Sequence, residues 1–72
     1  MSARYPGWLD DRVVSAIRDY QDCHGYPPTL RELAAAIGRS VTATRARLVR
    51  MRGQRVDWQD NRTRTLRVLD PA

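Results

Sequence analysis

Lysine is absent from this sequence, and Cys23 and His24 are its single cysteine and single histidine. One cysteine excludes an internal disulfide and is typical of a chain that works in a reducing cytoplasm. One Cys and one His cannot supply the four ligands of a tetrahedral zinc site, and neither has a catalytic partner nearby in sequence. A glycine-rich phosphate loop is missing as well. We therefore expect no enzymatic activity, no metal and no cofactor.

Long hydrophobic runs are also missing. No apolar stretch approaches the roughly 20 residues that a transmembrane helix needs, and the N-terminus lacks a signal-peptide core. We expect a cytoplasmic protein with no membrane association, either in the nucleoid or in the cytoplasm of a host cell. The 72 residues make one domain, whose small core leaves little material for a deep catalytic cleft.

Basic charge is abundant and unevenly placed. All 13 basic residues are arginine, and the formal net charge is +5. Residues 1–38 hold four Arg against five acidic residues (net −1), whereas residues 39–67 hold nine Arg against Asp57 and Asp60 (net +7). A GC-rich genome would also favour arginine over lysine, but arginine remains the better bidentate ligand of phosphate and guanine. The second half of the chain is therefore suited to a polyanionic partner.

Two helices are predicted before residue 39. From Trp8 onward, apolar residues recur at spacings of three and four, which predicts an amphipathic helix 1 that Gly25 ends. Thr29 and Glu32 fit a capping box at the start of a short helix 2, and Gly38 is its expected C-terminal stop. The apolar residues expected to face the core are Leu9, Val13, Ala16, Ile17 and Tyr20 in helix 1, and Leu30, Leu33, Ala34 and Ile37 in helix 2.

Helix 3 is predicted to begin after Ser40, which is a good N-cap. At about 100° per residue, one face of this helix carries Val41, Thr44, Leu48 and Met51, which we expect to be buried. The opposite face carries Thr42, Ala43, Ala46 and Arg50, flanked by Arg45 and Arg47. No acidic residue lies between Arg39 and Arg55, so these arginines lack the i,i+4 partners that neutralise an ordinary charged helix face.

After Gly53 the apolar period changes from helical to alternating. Residues 55–58 and 66–68 read as two strands, with Val56, Trp58, Leu66 and Val68 on an inner face. Asp60 and Asn61 are turn formers, which places Asn61, Arg62 and Arg64 near the tip of a hairpin. We expect Trp8 and Trp58 to pack within the protein rather than to stack on bases.

Three helices followed by a basic hairpin define the predicted fold class: mainly α with a small β-hairpin, a winged helix-turn-helix. The predicted organisation is a flexible arm over residues 1–7, the winged helix-turn-helix over residues 8–69, and a tail over residues 70–72. A second helix joined by a tight turn to a basic third helix is the arrangement that places a recognition helix in the DNA major groove.

The segment Gly-Tyr-Pro-Pro-Thr-Leu-Arg-Glu-Leu at residues 25–33, with Ala-Ala-Ala-Ile-Gly after it, resembles the helix-2 signature of the DNA-binding domain of LexA-type SOS repressors. Arg39-Ser40 and the segment Asp-Asn-Arg-Thr-Arg at residues 60–64 are similar to that family's recognition-helix start and wing. The resemblance covers residues 9–69. It implies that Ser40, Thr42, Ala43 and Arg45 face an operator, and that Asn61, Arg62 and Arg64 lie on a wing that touches the DNA backbone.

The resemblance has limits. Repressors of this family continue into a self-cleaving peptidase domain with a Ser–Lys dyad, whereas this sequence has no lysine. We expect no self-cleavage from these residues and no inherited dimer interface, hence a monomer or a weak homodimer. Arg55 also replaces a glycine that is common between helix 3 and the first wing strand.

The sequence thus predicts a sequence-specific double-stranded DNA-binding protein. It is expected to be a small transcriptional regulator, such as a phage-type repressor or accessory factor, or else a domain of a larger repressor. An alternative is a winged-helix protein-interaction module that binds or inhibits an acidic partner protein. The predicted DNA-binding residues are Arg39, Ser40, Thr42, Ala43, Arg45, Ala46, Arg47, Arg50, Asn61, Arg62 and Arg64.

Overall fold

The computed structural model describes residues 8–69, and the predicted arm and tail lie outside this range. The elements in order are α1 (Trp8–His24), α2 (Leu30–Ile37), α3 (Val41–Met51), β1 (Val56–Asp57) and β2 (Arg67–Val68). The strands are antiparallel, with Val56 opposite Val68 and Asp57 opposite Arg67. Three helices and a hairpin confirm the predicted winged helix-turn-helix, although each strand is only two residues long.

Helix α1 lies along one side of the core through Val13, Val14 and Ile17. Gly25, with φ 82°, ends it, and its N–H donates to the Gln21 carbonyl at 2.8 Å. None of the helices between residues 8 and 69 is long and apolar enough to cross a bilayer.

The ends of α2 are fixed by the predicted caps. Thr29 Oγ1 accepts the Glu32 N–H at 3.2 Å, and the Thr29 N–H donates to Glu32 Oε1 at 2.8 Å, which completes the capping box. Gly38 takes a left-handed conformation (φ 70°) that few other residues adopt without strain, and this turns the chain directly into α3. The tight turn sets α3 against α2.

Helix α3 is capped by Ser40, whose Oγ accepts the Ala43 N–H at 3.1 Å. Thr44, Leu48 and Met51 are buried as predicted. The expectation that Val41 is buried is wrong, because 41% of its surface is exposed. Helical side chains tilt toward the N-terminus, so the side chain of the first helical residue lies over the preceding turn and outside the core.

The hydrophobic core joins all three helices to the wing. Its buried members are Val13, Val14, Ile17, Leu33, Ile37, Leu48, Met51, Val56 and Leu66, with Ala16, Leu30, Trp58 and Val68 packed against it. Thr44 is the buried polar residue of the described segment, and its hydroxyl donates to the Ser40 carbonyl at 2.8 Å. Because the wing contributes Val56 and Leu66 to this core, its base has a fixed position relative to α3.

The turn between α3 and β1 is made by Gly53. This residue has φ 81°, and its N–H donates to the Val56 carbonyl at 2.8 Å. Arg55 donates its N–H to the Met51 carbonyl at 3.0 Å and has no positive φ. The left-handed residue of this turn is therefore Gly53, and an arginine at position 55 is accommodated without strain.

Candidate nucleic-acid interface

The outward face of α3 combines small side chains with arginine. Thr42, Ala43, Ala46, Arg45 and Arg50 are all exposed, as the sequence predicted. Small side chains at the middle of such a face allow close approach of the helix backbone to another surface. The chain thus presents a narrow ridge with guanidinium groups beside it.

Val49 belongs to the same face but was not among the predicted site residues. Its surface is 54% exposed, the largest value among the exposed large hydrophobic residues of the described segment. Helical periodicity predicts this exposure, because at 100° per residue Val49 lies about 140° around the helix from the buried Thr44. An exposed β-branched residue next to Ala46 and Arg45 adds an apolar contact to the face.

The arginines of the basic half fall into two groups. Within residues 8–69, the side chains of Arg39, Arg45, Arg50 and Arg62 make no ion pair or hydrogen bond. All four are exposed. We call these four residues the free arginines. Since no carboxylate of the described segment neutralises them, they are the cations most available to an anionic partner.

The remaining helix-3 arginines have partners outside their own helix. Arg47 Nη1 lies 3.4 Å from Asp10 Oδ1 of α1. Arg52, the C-cap of α3, bonds Asp57 and Asp60 at 3.1 Å each and the Trp58 carbonyl at 2.8 Å. The absence of helical i,i+4 partners therefore did not leave these arginines unpaired. Tertiary contacts supply carboxylates that lie far away in sequence, or beyond Arg55.

Arg55 belongs to the paired group as well. Its Nη1 lies 2.6 Å from Asp11 Oδ1 of α1. With the Arg47–Asp10 pair, this contact ties the inner flank of α3 and the following turn to the start of α1. These two arginines thus contribute to the orientation of α3 more than to its free charge.

The tip of the wing presents Asn61 and Arg62 to solvent. Asn61 takes a left-handed conformation with φ 64°, which asparagine tolerates better than most residues. Thr65 organises the loop, since its Oγ1 accepts the Gln59 N–H at 2.9 Å and is 3.2 Å from the Arg62 carbonyl. The backbone of the tip is therefore bonded internally, while the Arg62 side chain remains free.

Arg64, also predicted on the wing, faces the helices. Its Nη1 and Nη2 lie 3.0 Å from the two carboxylate oxygens of Glu32. The backbone N–H of Thr29 and then the Arg64 guanidinium lower the pKa of Glu32 to about 2. The hydrogen bonds that Arg64 donates to the Tyr20 hydroxyl oxygen and to the Glu32 carboxylate raise the pKa of Arg64. Arg64 thus differs from Arg62, although both sit in the same short loop.

A groove of about 570 Å³ separates α3 from the wing. Arg45 lines it from the helix, and Asn61 and Arg62 line it from the hairpin, with Leu30 and Leu48 at the helical side. Two of the free arginines therefore lie on the two walls of one groove. No group of three or more His, Cys, Asp or Glu side chains in residues 8–69 could hold a metal ion.

A family model and a known repressor match this chain. A family model described as the LexA DNA binding domain matches residues 10–65. The LexA repressor of Limosilactobacillus fermentum (strain NBRC 3956 / LMG 18251) is 53% identical over 32 residues, which are 44% of this chain and 15% of that protein. The matched segment thus covers a small part of that repressor. No solved structure matches the chain.

Proposed function

The chain belongs to the LexA DNA-binding domain family, and we propose that it reads operator DNA for a transcriptional repressor. In this proposal α3 enters the major groove and the tip of the wing touches the DNA backbone. The observation that carries the proposal is the position of the free arginines. They lie on the outward side of α3 and on the wing tip, while the other arginines of the basic half are held by carboxylates.

The N-terminal half of α3 is proposed to approach the bases. Ser40, Thr42, Ala43 and Ala46 are small and exposed, so the helix backbone can lie deep in the groove. Arg45 follows one turn from the N-terminus, where recognition helices contact base edges. A guanidinium at this position can form two parallel hydrogen bonds with O6 and N7 of guanine.

Apolar groups on the same face favour thymine. The Ala46 methyl and the exposed Val49 side chain offer contacts for the C5-methyl group, which only thymine presents in the major groove. We therefore propose that each half-site contains a guanine opposite Arg45 with thymine next to it. This pairing is specific to the residues of this chain.

Four of the remaining predicted residues are proposed to contact the DNA backbone. Arg39 and Arg50 lie at the two ends of α3 and, like Arg62, are free to bind phosphate. Arg47 Nη1 lies 3.4 Å from Asp10 Oδ1, so this ion pair must separate before Arg47 can bind phosphate. We therefore expect Arg47 to contribute less to DNA affinity than a free arginine does.

The wider role is also a proposal. The chain is either a small phage-type repressor or accessory factor, or the DNA-reading part of a longer repressor, and it acts in the nucleoid or in a host cytoplasm. We propose a monomer or weak homodimer in solution. A protein of this kind gains affinity from two half-sites spaced by about one helical turn of DNA or a multiple of it.

Selection of binding sites from random duplexes, followed by a salt titration on the selected site, tests the proposal. Each neutralised phosphate contributes about 0.9 to the slope of log K against log salt concentration, so the three free arginines assigned to the DNA backbone predict a slope near −2.7, with a smaller addition from Arg47. Equal affinity for all sequences, or no dependence on salt, would refute operator reading. Absence of duplex binding at low salt together with tight binding to an acidic protein would favour the interaction-module alternative.

A further inference from the structure

The wing has too little β-structure to hold its own shape. Strands β1 and β2 have two residues each, and residues 58–66 connect them. A two-stranded hairpin is marginally stable in water even when its strands are longer. The orientation of the tip must therefore depend on contacts between the wing and the rest of the protein.

Arg64 makes the most extensive of these contacts. Besides the two bonds to the Glu32 carboxylate, its Nη1 donates to the Pro27 carbonyl at 3.2 Å. Its guanidinium carbon lies 4.6 Å from the centre of the Tyr26 ring, within the range of a cation–π contact. The Arg64 side chain thus joins the part of the wing that precedes β2 to α2 and to the connection between α1 and α2.

The partner of Arg64 is itself rigidly placed. Glu32 Oε1 accepts the Thr29 N–H at 2.8 Å as part of the capping box, so the carboxylate is oriented by the start of α2. A planar carboxylate in a fixed orientation matches the fork of a guanidinium, which an ammonium group cannot replace. The capping box therefore serves a second purpose as the docking point for the wing.

The backbone at Arg64 supports the same view. Arg64 has φ 57°, a left-handed conformation that is unfavourable for a bulky non-glycine residue. Such a conformation persists where surrounding contacts determine it. Here the Glu32 carboxylate, the Pro27 carbonyl and the Tyr26 ring hold the guanidinium and so determine where the side chain, and hence the backbone, must lie.

A second arginine holds the other side of the wing, which consists of β1 and the residues that follow it. Arg52 bonds Asp57, Asp60 and the Trp58 carbonyl, and its guanidinium carbon lies 4.2 Å from the centre of the Trp58 ring. Residues 61–63 lie between the two parts of the wing that Arg52 and Arg64 hold, and all three are exposed. The free Arg62 is thus at the centre of a short segment that is fixed on both sides.

We propose that Arg64 is a positioning residue that orients the wing tip toward DNA through its bidentate contact with Glu32, and that it does not itself bind phosphate. The inference rests on the proposed function, since it assigns the role of one residue within the proposed interface. Glu32, an acidic residue, then strengthens the binding of a polyanion. Electrostatics alone predicts the opposite effect.

Two substitutions separate positioning from direct contact. Glu32→Gln keeps the capping box, because glutamine serves at this position as well, but it removes the charged partner of Arg64. If Arg64 positions the wing, E32Q weakens operator binding by roughly three- to fivefold, the effect of losing one well-ordered exposed ion pair. If Arg64 binds phosphate directly, E32Q releases it and removes a nearby negative charge, so binding becomes tighter.

Arg64→Lys and the matched Arg62→Lys complete the test. R64K retains the positive charge but cannot form the bidentate contact with Glu32, so we expect it to lose as much DNA affinity as E32Q. The double variant E32Q/R64K should lose no more affinity than either single variant. R62K keeps a point charge at a phosphate contact and should lose less than about threefold. Retention of affinity in R64K together with tighter binding by E32Q would overturn the inference.

A measurement without DNA keeps this inference separate from the proposed function. Heteronuclear ¹⁵N NOE values of the Asn61 and Arg62 amides should fall in E32Q and R64K, while those of α3 stay unchanged. Thermal unfolding of each variant shows that it remains folded. Unchanged wing order with wild-type affinity in both variants would contradict positioning, whereas a wild-type protein that binds no duplex would contradict the proposed function itself.

Discussion

Substitution of Arg45 by alanine tests the assignment of base reading to α3. Arg45 is exposed, makes no ion pair within residues 8–69, and lines the groove shared with the wing. Its removal therefore breaks no contact that holds the described fold together. Loss of DNA affinity in this variant reports the protein–DNA contact rather than damage to the protein.

The expected loss follows from the chemistry of guanine. A bidentate arginine–guanine contact discriminates by about 1–3 kcal/mol, which corresponds to a loss of roughly 5- to 150-fold on the selected site. On duplexes that lack the guanine, Arg45 contributes at most one charge near phosphate, so the loss there should be only a few-fold. The ratio of the two losses measures base reading directly.

Arg12→Ala is the matched control. Arg12 is an exposed arginine on α1, about 100° around that helix from the buried Val13 and about 140° from the buried Ile17, and no ion pair holds it within the described residues. Both substitutions lower the net charge from +5 to +4, so they weaken long-range attraction to DNA equally. We expect Arg12→Ala to change affinity by less than about twofold at 0.15 M salt, where screening acts over about 8 Å.

Fluorescence anisotropy with a labelled duplex provides the assay, and a modified base sharpens it. Replacing the selected guanine by 7-deazaguanine removes the N7 acceptor and should weaken the wild-type protein without further weakening Arg45→Ala. An equal loss on all duplexes, or a loss no larger than that of Arg12→Ala, would refute base reading by Arg45.

Three further predictions concern the wing, the cap and the core. Arg62→Ala should weaken binding to all duplexes about equally and make the salt slope less steep by about 0.9; a loss confined to the selected site would contradict a phosphate contact. Because the folded-state pKa of Glu32 is lowered from 4.5 to about 2, its contribution to stability is present above about pH 4.5 and lost as the pH falls toward 2. The melting-temperature difference between wild type and Glu32→Gln should therefore shrink over this range, and a constant difference would count against the charged pair. Leu33→Ala should lower the free energy of unfolding by about 2–5 kcal/mol in urea titrations, because Leu33 is fully buried; a change below 1 kcal/mol would show that the site collapses to fill the cavity.

Much of the fold could be predicted because its signals are local. The capping box of Thr29 and Glu32, the left-handed Gly38 and the cap at Ser40 each depend on residues within four positions of one another. Helical periodicity then assigned most buried positions. Val41 was misjudged because periodicity describes the angle around a helix axis and ignores where the helix begins.

The charge pattern was predictable only in part. Composition placed nine arginines between residues 39 and 67, but which of them are free depends on contacts across the fold. Asp10 and Arg47 are 37 positions apart, and Glu32 and Arg64 are 32 positions apart. No periodic pattern in the sequence brings such residues together, because their proximity follows from the packing of α1 and the wing against the helix-turn-helix.

In the proposed complex with DNA, the free and the paired arginines act on different properties. A free arginine releases counterions when it meets phosphate, so it adds to affinity and to the salt slope. A paired arginine adds little net charge, but it restricts the orientation of the element that carries it, and preorganisation lowers the ordering entropy that binding must overcome. Arg47 and Arg55 restrict α3 against α1, while Arg52 and Arg64 restrict the wing. In the proposed interface, Arg62 and Arg45 then line one groove from two elements of fixed orientation. Glu32, although acidic, is expected to raise the affinity of this basic protein for DNA.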